Sequence, residues 1–162
     1  MIKVGILTAS DKGSAGQRID ESGKVIMDAI KRINAIMADY VVVPDDQQEI
    51  ALNLIRMADI VGVDLILTTG GTGFSPRDIT PEATLSVISR EAPGIPEAMR
   101  LKSLQITPKA MLSRAVAGIR GKTLIINLPG SPKAVSECLE VILPVLPHAI
   151  EILRGDTGEC AR

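Results

Sequence analysis

The chain has 162 residues, a length that fits one domain with a sizeable core. Aromatic residues make up only 1% of it and the formal net charge is −1, which argues against nucleic acid as a partner. No apolar run reaches the roughly 20 residues that span a bilayer, and the N-terminal run is too short for a signal peptide. We expect a single cytoplasmic domain over residues 1–162 without membrane contact, with an irregular tail from about residue 156.

The apolar pattern of the first half of the chain alternates between strands and helices. Near-continuous apolar runs at residues 2–8, 40–44 and 65–69 are typical of parallel strands that are buried on both faces. Apolar residues at helical spacing predict a helix over about 21–37, and a second stripe predicts another helix before the third strand. That second stripe is Ile50, Leu54, Met57, Ala58 and Val61. The alternation predicts a parallel sheet with right-handed crossovers.

Helices dominate the region after the third strand. We expect a helix over residues 80–90, with Thr80 as its N-cap and Pro81 at its first position. A short helix is predicted at about 97–104. From residue 131 onward, a last apolar stripe at helical spacing predicts the helix that ends the fold.

An antiparallel pair is predicted at one edge of the sheet. Two β-like runs, 114–119 and 122–128, flank Arg120 and Gly121, a spacing typical of a tight hairpin. With the parallel strands, this predicts a three-layer α/β fold. It has a mostly parallel sheet, helices on both faces and one antiparallel edge hairpin.

The turn after the third strand carries the strongest functional signal. Gly70, Gly71 and Gly73 have no Cβ, so the backbone there can lie against a ligand with its N–H groups arranged as an anion cradle. Arg77 and Asp78 follow at the rim of this turn. The alternative interpretation is that the glycines only permit a tight bend between strand and helix.

Four polar loops follow strands and are expected to meet at one edge. They are residues 10–16, 44–47, 69–73 and 128–132. In an open α/β sheet, ligands bind outside the carboxyl ends of the strands. The glycine amides, hydroxyls and carboxylates of these loops suit a phosphorylated ligand with a divalent cation. Asp45 and Asp78 are our candidate ligands for Mg²⁺.

Each of these polar residues also has a structural alternative. Asp45 or Asp46 is a suitable N-cap for the helix that follows, and one of the two can cap while the other faces the site. Asp78 could instead form a surface ion pair with Arg77 or a neighbouring lysine. Ser131 is suited equally to an N-cap and to a phosphate contact.

Other motifs give no support for a different chemistry. Cys138 lies on an apolar helical stripe and is expected in the core, and Cys160 receives no role. The sequence Gly121-Lys122-Thr123 is not a P-loop, because the required glycine five positions earlier is absent and a strand follows. No GxGxxG follows the first strand, so a Rossmann dinucleotide site is unsupported.

Several segments carry a resemblance to a known family. They are Thr69-Gly70-Gly71-Thr72-Gly73, Ser75-Pro76-Arg77-Asp78-Ile79-Thr80-Pro81-Glu82-Ala83-Thr84, Pro93-Gly94 to Met99-Arg100, Ser113-Arg114-Ala115, and Leu128-Pro129-Gly130-Ser131-Pro132-Lys133-Ala134. In these segments the chain resembles the molybdopterin-binding family of molybdenum cofactor biosynthesis. The resemblance runs from the first strand to the last helix.

The resemblance implies an activity, substrates and partners. It implies transfer of AMP from ATP to the terminal phosphate of molybdopterin with Mg²⁺, catalytic roles for Asp45 and Asp78, and a homotrimer. A molybdotransferase is a further partner that it suggests. We assign the contacts with molybdopterin and the ATP phosphates to Ser10, Asp11, Ser14, Thr69, Gly70, Gly71, Thr72, Gly73, Ser75, Arg77, Pro129, Gly130 and Ser131.

Two alternatives to this activity stay open. One is a module that binds molybdopterin without transferring AMP, and the other is metal insertion of the molybdotransferase type. The Arg77-Asp78 pair favours the transferring enzyme, because some relatives that keep the glycine turn lack this pair.

Overall fold

Six strands form one sheet in the computed structural model, which describes residues 1–156. The strands are β1 (Ile2–Ala9), β2 (Ala35–Val43), β3 (Leu65–Thr69), β4 (Arg90–Glu91), β5 (Ala117–Arg120) and β6 (Thr123–Leu128). Their order across the sheet is β2-β1-β3-β6-β5-β4. The pairings from β2 to β6 are parallel, and those of β6 with β5 and of β5 with β4 are antiparallel. The predicted fold class is confirmed. The tail predicted beyond about residue 156 and Cys160 fall on residues 157–162, outside the described part.

Helices cover both faces of the sheet. They are α1 (Asp11–Ser14), α2 (Glu21–Ala29), α3 (Gln47–Ile55), α4 (Thr80–Leu85), α5 (Gly94–Leu104), α6 (Pro132–Ile142) and α7 (Leu146–Arg154). One apolar cluster joins the sheet to α2, α5, α6 and α7, and a second joins its other face to α3 and α4. Among the described residues, no helix is long and apolar enough to cross a membrane.

The central strands are buried on both faces, as their apolar runs predicted. Every residue of β3 and β6 is buried, because helices cover both sides of these strands. Cys138 lies in the core with 4% of its surface exposed, as expected.

The predicted boundary between the first long helix and the second strand is wrong. The helix over 21–37 is instead α2 followed by a 3₁₀ turn, Ile30–Ile33, and Asn34 then adopts a left-handed conformation with φ +54°. Asparagine tolerates this conformation and ends helices there. The residues after it extend β2, whose pairing with β1 begins at Ala35.

Three further predictions around α4 and the hairpin need correction. The helix predicted over 80–90 ends at Leu85, and Arg90–Glu91 pairs with β5 as a short edge strand. Thr80 is not the N-cap, which is Ile79, and the Thr80 hydroxyl is buried without a hydrogen-bond partner among the described residues. Strand β5 begins at residue 117 rather than 114, because the Arg114 amide bonds to the loop after β3 instead of to the sheet.

The order of the strands creates an opening at the carboxyl ends of β1 and β3. The chain leaves β1 toward α2, which packs on one face of the sheet, and it leaves β3 toward α4, which packs on the other face. The loops that follow β1 and β3 therefore diverge over opposite faces of the sheet. Such a switch point is where open α/β sheets bind ligands.

Candidate functional site

A polar cleft of about 560 Å³ lies at this switch point. Each of the four predicted loops contributes to its lining, as does the segment that leads into α2. The lining residues are Thr8, Ala9, Ser10, Gly13, Arg18, Ile19, Asp20, Glu21, Ser22, Asp45, Thr69, Gly70, Gly71, Asp78, Gly130, Ser131 and Pro132. The expectation that these loops meet on one edge is therefore met.

The turn after β3 needs glycine for steric reasons. Gly70 and Gly71 have φ values of +91° and +70°, and side chains are strained in this region. A Cβ on Gly70 would lie 2.3 Å from the Ala9 carbonyl oxygen, and one on Gly71 would lie 2.3 Å from Thr80 Oγ1. The glycines thus permit the bend, and the same backbone lines the cleft. The two interpretations of the turn are compatible.

Asp45 and Asp78 both face this glycine turn. Asp45 Oδ1 is 3.3 Å from where a Cβ on Gly71 would stand, and Asp78 Oδ2 is 3.0 Å from the corresponding point on Gly73. Asp78 Oδ2 also accepts a hydrogen bond of 3.0 Å from the Ser75 amide. The two carboxylates, which are 33 positions apart in sequence (78 minus 45), therefore share one turn and one cleft.

Asp45 and Asp46 each take one of the two roles predicted for this pair, one capping a helix and the other facing the cleft. Asp46 caps α3, because its Oδ1 accepts a hydrogen bond of 2.9 Å from the Glu49 amide. Asp45 lines the cleft and remains half-buried. The structure therefore leaves Asp45, and not Asp46, as the acid that faces the cleft.

Arg77 pairs with Asp11, so the proposed ion pair between Arg77 and Asp78 is wrong. Arg77 Nε and Nη2 donate to the two Asp11 carboxylate oxygens at 3.0 and 2.9 Å. The hydrogen bond from Arg77, supported by that from the Asp45 amide, lowers the pKa of Asp11 below its ordinary value. Asp11 therefore stays ionised beside Asp45.

The environment of Asp45 has the opposite effect on its acidity. Burial raises the pKa of Asp45, and the negative charges of Asp11 and Asp78 add to this, although the Asp11 amide donates to Asp45 and opposes it. Asp11 N donates to Asp45 Oδ2 at 3.1 Å, and Asp45 N donates to Asp11 Oδ1 at 3.0 Å. This exchange holds two carboxylates close together, an arrangement that a cation would stabilise.

The donor set fits Mg²⁺ that arrives with a nucleotide. No cluster of three or more potential ligands from His, Cys, Asp and Glu occurs within residues 1–156, so a complete protein cage is not present there. Mg²⁺ commonly uses one or two carboxylates, several waters and the phosphates of a substrate. Asp45 and Asp78 supply that number of carboxylates.

Two helix N-termini also point toward the cleft. Asp20 caps α2, accepting a hydrogen bond of 2.9 Å from the Gly23 amide, and Ser131 caps α6, accepting one of 3.2 Å from the Ala134 amide. Both caps line the cleft. Because the N-terminal end of a helix carries a partial positive charge, the α6 end, whose cap is the neutral Ser131, favours an anion at the cleft. At the α2 end, the Asp20 carboxylate already offsets this charge.

Comparison with known proteins identifies the family that shares these features. A family model described as "Probable molybdopterin binding domain" matches residues 5–148. The chain belongs to this molybdopterin-binding family. The resemblance inferred from the sequence is thereby confirmed.

Members of the molybdopterin-binding family with known names or structures match nearly the whole chain. The chain is 46% identical to a molybdopterin adenylyltransferase of Helicobacter pylori, over 96% of this chain and 89% of that protein. It is 50% identical to gephyrin of Dictyostelium discoideum, over 94% of this chain but 22% of that protein. The crystal structure of the molybdopterin biosynthesis enzyme MoaB from Thermus thermophilus superposes with a TM-score of 0.91 and 53% identity, covering 96% of this chain and 98% of that one.

Three residues that the sequence predicted as substrate contacts lie outside the cleft. Ser14, Ser75 and Arg77 are exposed and do not line it. Ser14 Oγ donates to the Asp11 carbonyl oxygen at 3.0 Å, and Ser75 acts through its amide toward Asp78. Their role as substrate contacts stays a prediction.

Three other predicted residues border a second cavity behind the glycine turn. Thr72, Gly73 and Pro129 line this cavity, whose volume is about 290 Å³ and whose walls are mainly apolar. The polar groups around it include Arg100, Ser103 and Ser113. The turn and the Pro129 loop thus separate a polar cleft from an apolar cavity. The sequence pattern did not indicate this second space.

Sequence reasoning also missed polar residues of the cleft wall near α2. Asp20 Oδ2 accepts hydrogen bonds from Thr8 Oγ1, at 2.6 Å, and from the Tyr40 hydroxyl. Burial and the hydrogen bond to Asp20 raise the pKa of Tyr40, so its hydroxyl stays protonated. Ser22 Oγ donates to the Gly130 carbonyl oxygen at 2.7 Å and connects the α2 and β6 loops. An Asp before the first apolar helical stripe was the available signal, as a helix N-cap.

Proposed function

We propose that this chain transfers the AMP group of ATP to the terminal phosphate of molybdopterin and releases pyrophosphate. The observation that carries the proposal is that the carboxylates of Asp45 and Asp78 both face one glycine turn in a polar cleft. Relatives named molybdopterin adenylyltransferase, 36 to 46% identical over nearly the whole chain, support the same reaction. The chain spans 89% of these relatives, so the comparison concerns whole proteins of similar length.

The polar cleft and the apolar cavity suit different parts of the substrates. The cleft, with its glycine amides and the N-terminus of α6, suits the phosphates of both substrates. The second cavity has apolar walls with a few polar side chains, and such a site favours the ring system of the pterin. Because the glycine turn borders both spaces, the terminal phosphate of molybdopterin would lie at the turn while its ring lies behind it.

The reaction that follows forms one bond and breaks one. An oxygen of the terminal molybdopterin phosphate bonds to the α-phosphorus of ATP, and the bond from that phosphorus to the pyrophosphate oxygen breaks. The protein forms no covalent bond, so its contribution is the orientation of the two substrates and the stabilisation of charge. The turn amides and the α6 N-terminus would contact phosphate oxygens.

Asp45 and Asp78 would hold Mg²⁺ together with the nucleotide. When bound, Mg²⁺ neutralises charge on the phosphates. Asp11 and Arg77 would support this role, because the bidentate pair and the exchanged amides keep the Asp45 carboxylate in place.

The proposal includes a homotrimer. Its support in the structure is a group of exposed apolar side chains on α5, on the 3₁₀ turn Pro108–Leu112 and on the loop between them, an arrangement typical of an interface. These are Leu101, Leu104, Ile106, Met111 and Leu112. Light scattering on the purified protein should give three times the chain mass, and a monomeric mass would contradict the trimer.

Incubation with molybdopterin, ATP and Mg²⁺ tests the activity directly. We expect pyrophosphate release that depends on both substrates, together with a product that carries AMP. Omission of molybdopterin controls for simple ATP hydrolysis. Binding of molybdopterin without release of pyrophosphate would leave only the non-catalytic binding module.

A further inference from the structure

Arg114 connects to the loop after β3 through its backbone amide and two of its guanidinium nitrogens, and to α4 through the third. Its amide donates to the Thr72 carbonyl oxygen at 2.8 Å. Its Nε donates to the Gly73 carbonyl oxygen at 2.8 Å, and its Nη2 to the Asp78 carbonyl oxygen at 2.8 Å. Its Nη1 pairs with Glu82 at the start of α4. One arginine thus holds both ends of the loop that carries Asp78.

These contacts decide which way the peptide groups of the loop face. In a planar trans peptide, the carbonyl oxygen and the following N–H point in opposite directions. The Thr72 and Gly73 carbonyl oxygens face Arg114, so the N–H groups of Gly73 and Phe74 face away from it. The amide of residue 114 holds the Thr72 carbonyl oxygen whichever side chain is present, but without the guanidinium group the Gly73 carbonyl oxygen would be free to turn toward a phosphate and repel it.

The segment that carries Arg114 is itself held in place from α5. Arg100 Nη1 donates to the Ala115 carbonyl oxygen at 2.9 Å and to the Ser113 carbonyl oxygen at 3.3 Å. Arg114 therefore approaches the loop from a segment that is fixed on either side of it. A fixed donor of this kind orients a loop more strongly than an exposed side chain would.

We propose that Arg114 is a positioning residue for the reaction, one that acts on the phosphates only through the glycine turn and Asp78. This role rests on the adenylyl transfer proposed above. Lysine cannot replace it, because a single ammonium group cannot donate to two carbonyl oxygens and a carboxylate in the fork that guanidinium provides. Loss of the fork releases the loop while leaving every group that contacts a substrate in the chain.

Arg120 offers a matched control at a distance from the cleft. Its guanidinium also joins a carboxylate, Asp59 at 2.6 and 3.1 Å, to a backbone carbonyl oxygen, that of Val87 at 2.9 Å. The two arginine side chains have similar exposure, 34% for Arg114 and 29% for Arg120. Arg120 lies on β5 and lines neither the cleft nor the second cavity.

The test compares Arg114→Lys and Arg120→Lys with the unmodified chain by pyrophosphate release and thermal melting. We expect Arg114→Lys to lower kcat by about 10- to 100-fold with the KM for ATP within about threefold. Both variants should lower Tm by a similar amount, about 2–4 °C, and Arg120→Lys should keep its kcat. A kcat within about twofold of the unmodified chain in Arg114→Lys, or an equal kcat loss in both variants, would overturn the role.

A second variant covers the case in which Arg114→Lys does not fold. Glu82→Gln removes the charge opposite Arg114 Nη1 and leaves the donors of Arg114 present. It should lower kcat by about 3- to 10-fold through looser orientation of the guanidinium, and an unchanged kcat would overturn the role. Absence of pyrophosphate release from the unmodified chain would instead overturn the adenylyl transfer, and this role with it.

Discussion

Two aspartates differ sharply in their surroundings. One lies where the parallel strands begin, here called the amino edge of the sheet, and the other lies where they end, the carboxyl edge. Asp64 directly precedes β3 at its amino end, whereas Asp45 follows β2 at its carboxyl end. Asp64 accepts hydrogen bonds from the Lys3 amide, at 2.8 Å, and from Arg154 Nε and Nη2, at 2.9 and 2.6 Å. Burial acts to raise the pKa of Asp64, but these hydrogen bonds outweigh burial and hold the pKa below its ordinary value.

The charged groups that act on Asp45 are the negative Asp11 and Asp78 together with Arg77, whereas those that act on Asp64 are the positive Lys3 and Arg154. Burial and the charges of Asp11 and Asp78 raise the pKa of Asp45, and no side-chain cation in residues 1–156 donates a hydrogen bond to it. An acid that is fully paired stabilises the fold. An acid that is crowded by other acids costs stability, and such groups cluster at functional sites. The amino edge of the sheet therefore carries an acid that stabilises the fold, and the carboxyl edge carries an acid whose surroundings would be stabilised by a cation.

Removal of the second acid at the carboxyl edge should have the largest effect. We expect Asp78→Asn to lower pyrophosphate release by at least about 100-fold. The reason is that Mg²⁺ loses one of its two protein carboxylates, so the charge on the transferred phosphate loses its stabilisation. Affinity for molybdopterin, measured by calorimetry without ATP, should remain within a few-fold. Activity equal to that of the unmodified chain would remove Asp78 from the chemistry.

Glycines at the two edges should respond differently to alanine. Gly70→Ala places a Cβ 2.3 Å from the Ala9 carbonyl oxygen at a φ of +91°, so it should cost about 3 kcal/mol of unfolding free energy and most of the activity. Gly62 precedes β3 at the amino edge with a φ of +72°, and an added Cβ would have no heavy atom of residues 1–156 within 4 Å, apart from Gly62 itself and its two neighbours in the chain. Gly62→Ala should cost only about 1 kcal/mol. Urea unfolding of the two variants measures the difference, and equal losses would show that the contact with Ala9 does not matter.

Loss of the paired acid should destabilise the protein without impairing transfer. Asp64→Ala leaves Arg154 and the Lys3 amide without their acceptor and should cost about 2 kcal/mol at pH 7. Because the folded-state pKa of Asp64 is lowered, its stabilisation exists above the unfolded-state pKa and disappears as pH falls through the folded-state value. The free energies of unfolding of the variant and the unmodified chain should therefore begin to converge as pH falls below about 4, and they should meet only below the lowered folded-state pKa. A difference that does not depend on pH would contradict the ion pair.

Neutralisation of the crowded acid should have the smallest effect on stability, and in the opposite direction. Because the folded-state pKa of Asp45 is raised, the unmodified chain loses stability as pH rises through that value. Asp45→Asn avoids this loss and should increase the free energy of unfolding at pH 7 by up to about 1 kcal/mol, while pyrophosphate release falls. The gain should vanish at pH values below the ordinary range of aspartate. A loss of stability at pH 7 would show that Asp45 supports the fold as Asp64 does.

Features that depend only on residues close by in sequence were predicted well. Strands β1, β3 and β6 were found because helices cover both of their faces, which leaves a continuous apolar run in the sequence. Ser131 and the Asp45-Asp46 pair were recognised as candidates for caps and ligands, because capping depends on the three residues that follow. The choice between Asp45 and Asp46 needed the structure, since both satisfy the same local pattern.

Contacts between distant segments could not be predicted from local patterns. Arg77 was considered with Asp78, yet its partner is Asp11, 66 positions away. Arg114 reaches Gly73 across 41 positions, and the role of its side chain is invisible in the pattern around it. The second strand was misjudged because a single left-handed Asn34 ended the helix early.

The amino-acid sequence by itself determined the layers of the fold, the edge where the loops meet and the glycine turn at its centre. Periodicity and turn chemistry are local, so they can be read without knowledge of distant residues. The tertiary structure decided which acids are paired and which face the cleft. It also decided which arginine contacts the loop after β3, between the cleft and the second cavity. Those outcomes depend on strand order and helix packing, which bring charges together across tens of residues and set the burial that shifts their pKa.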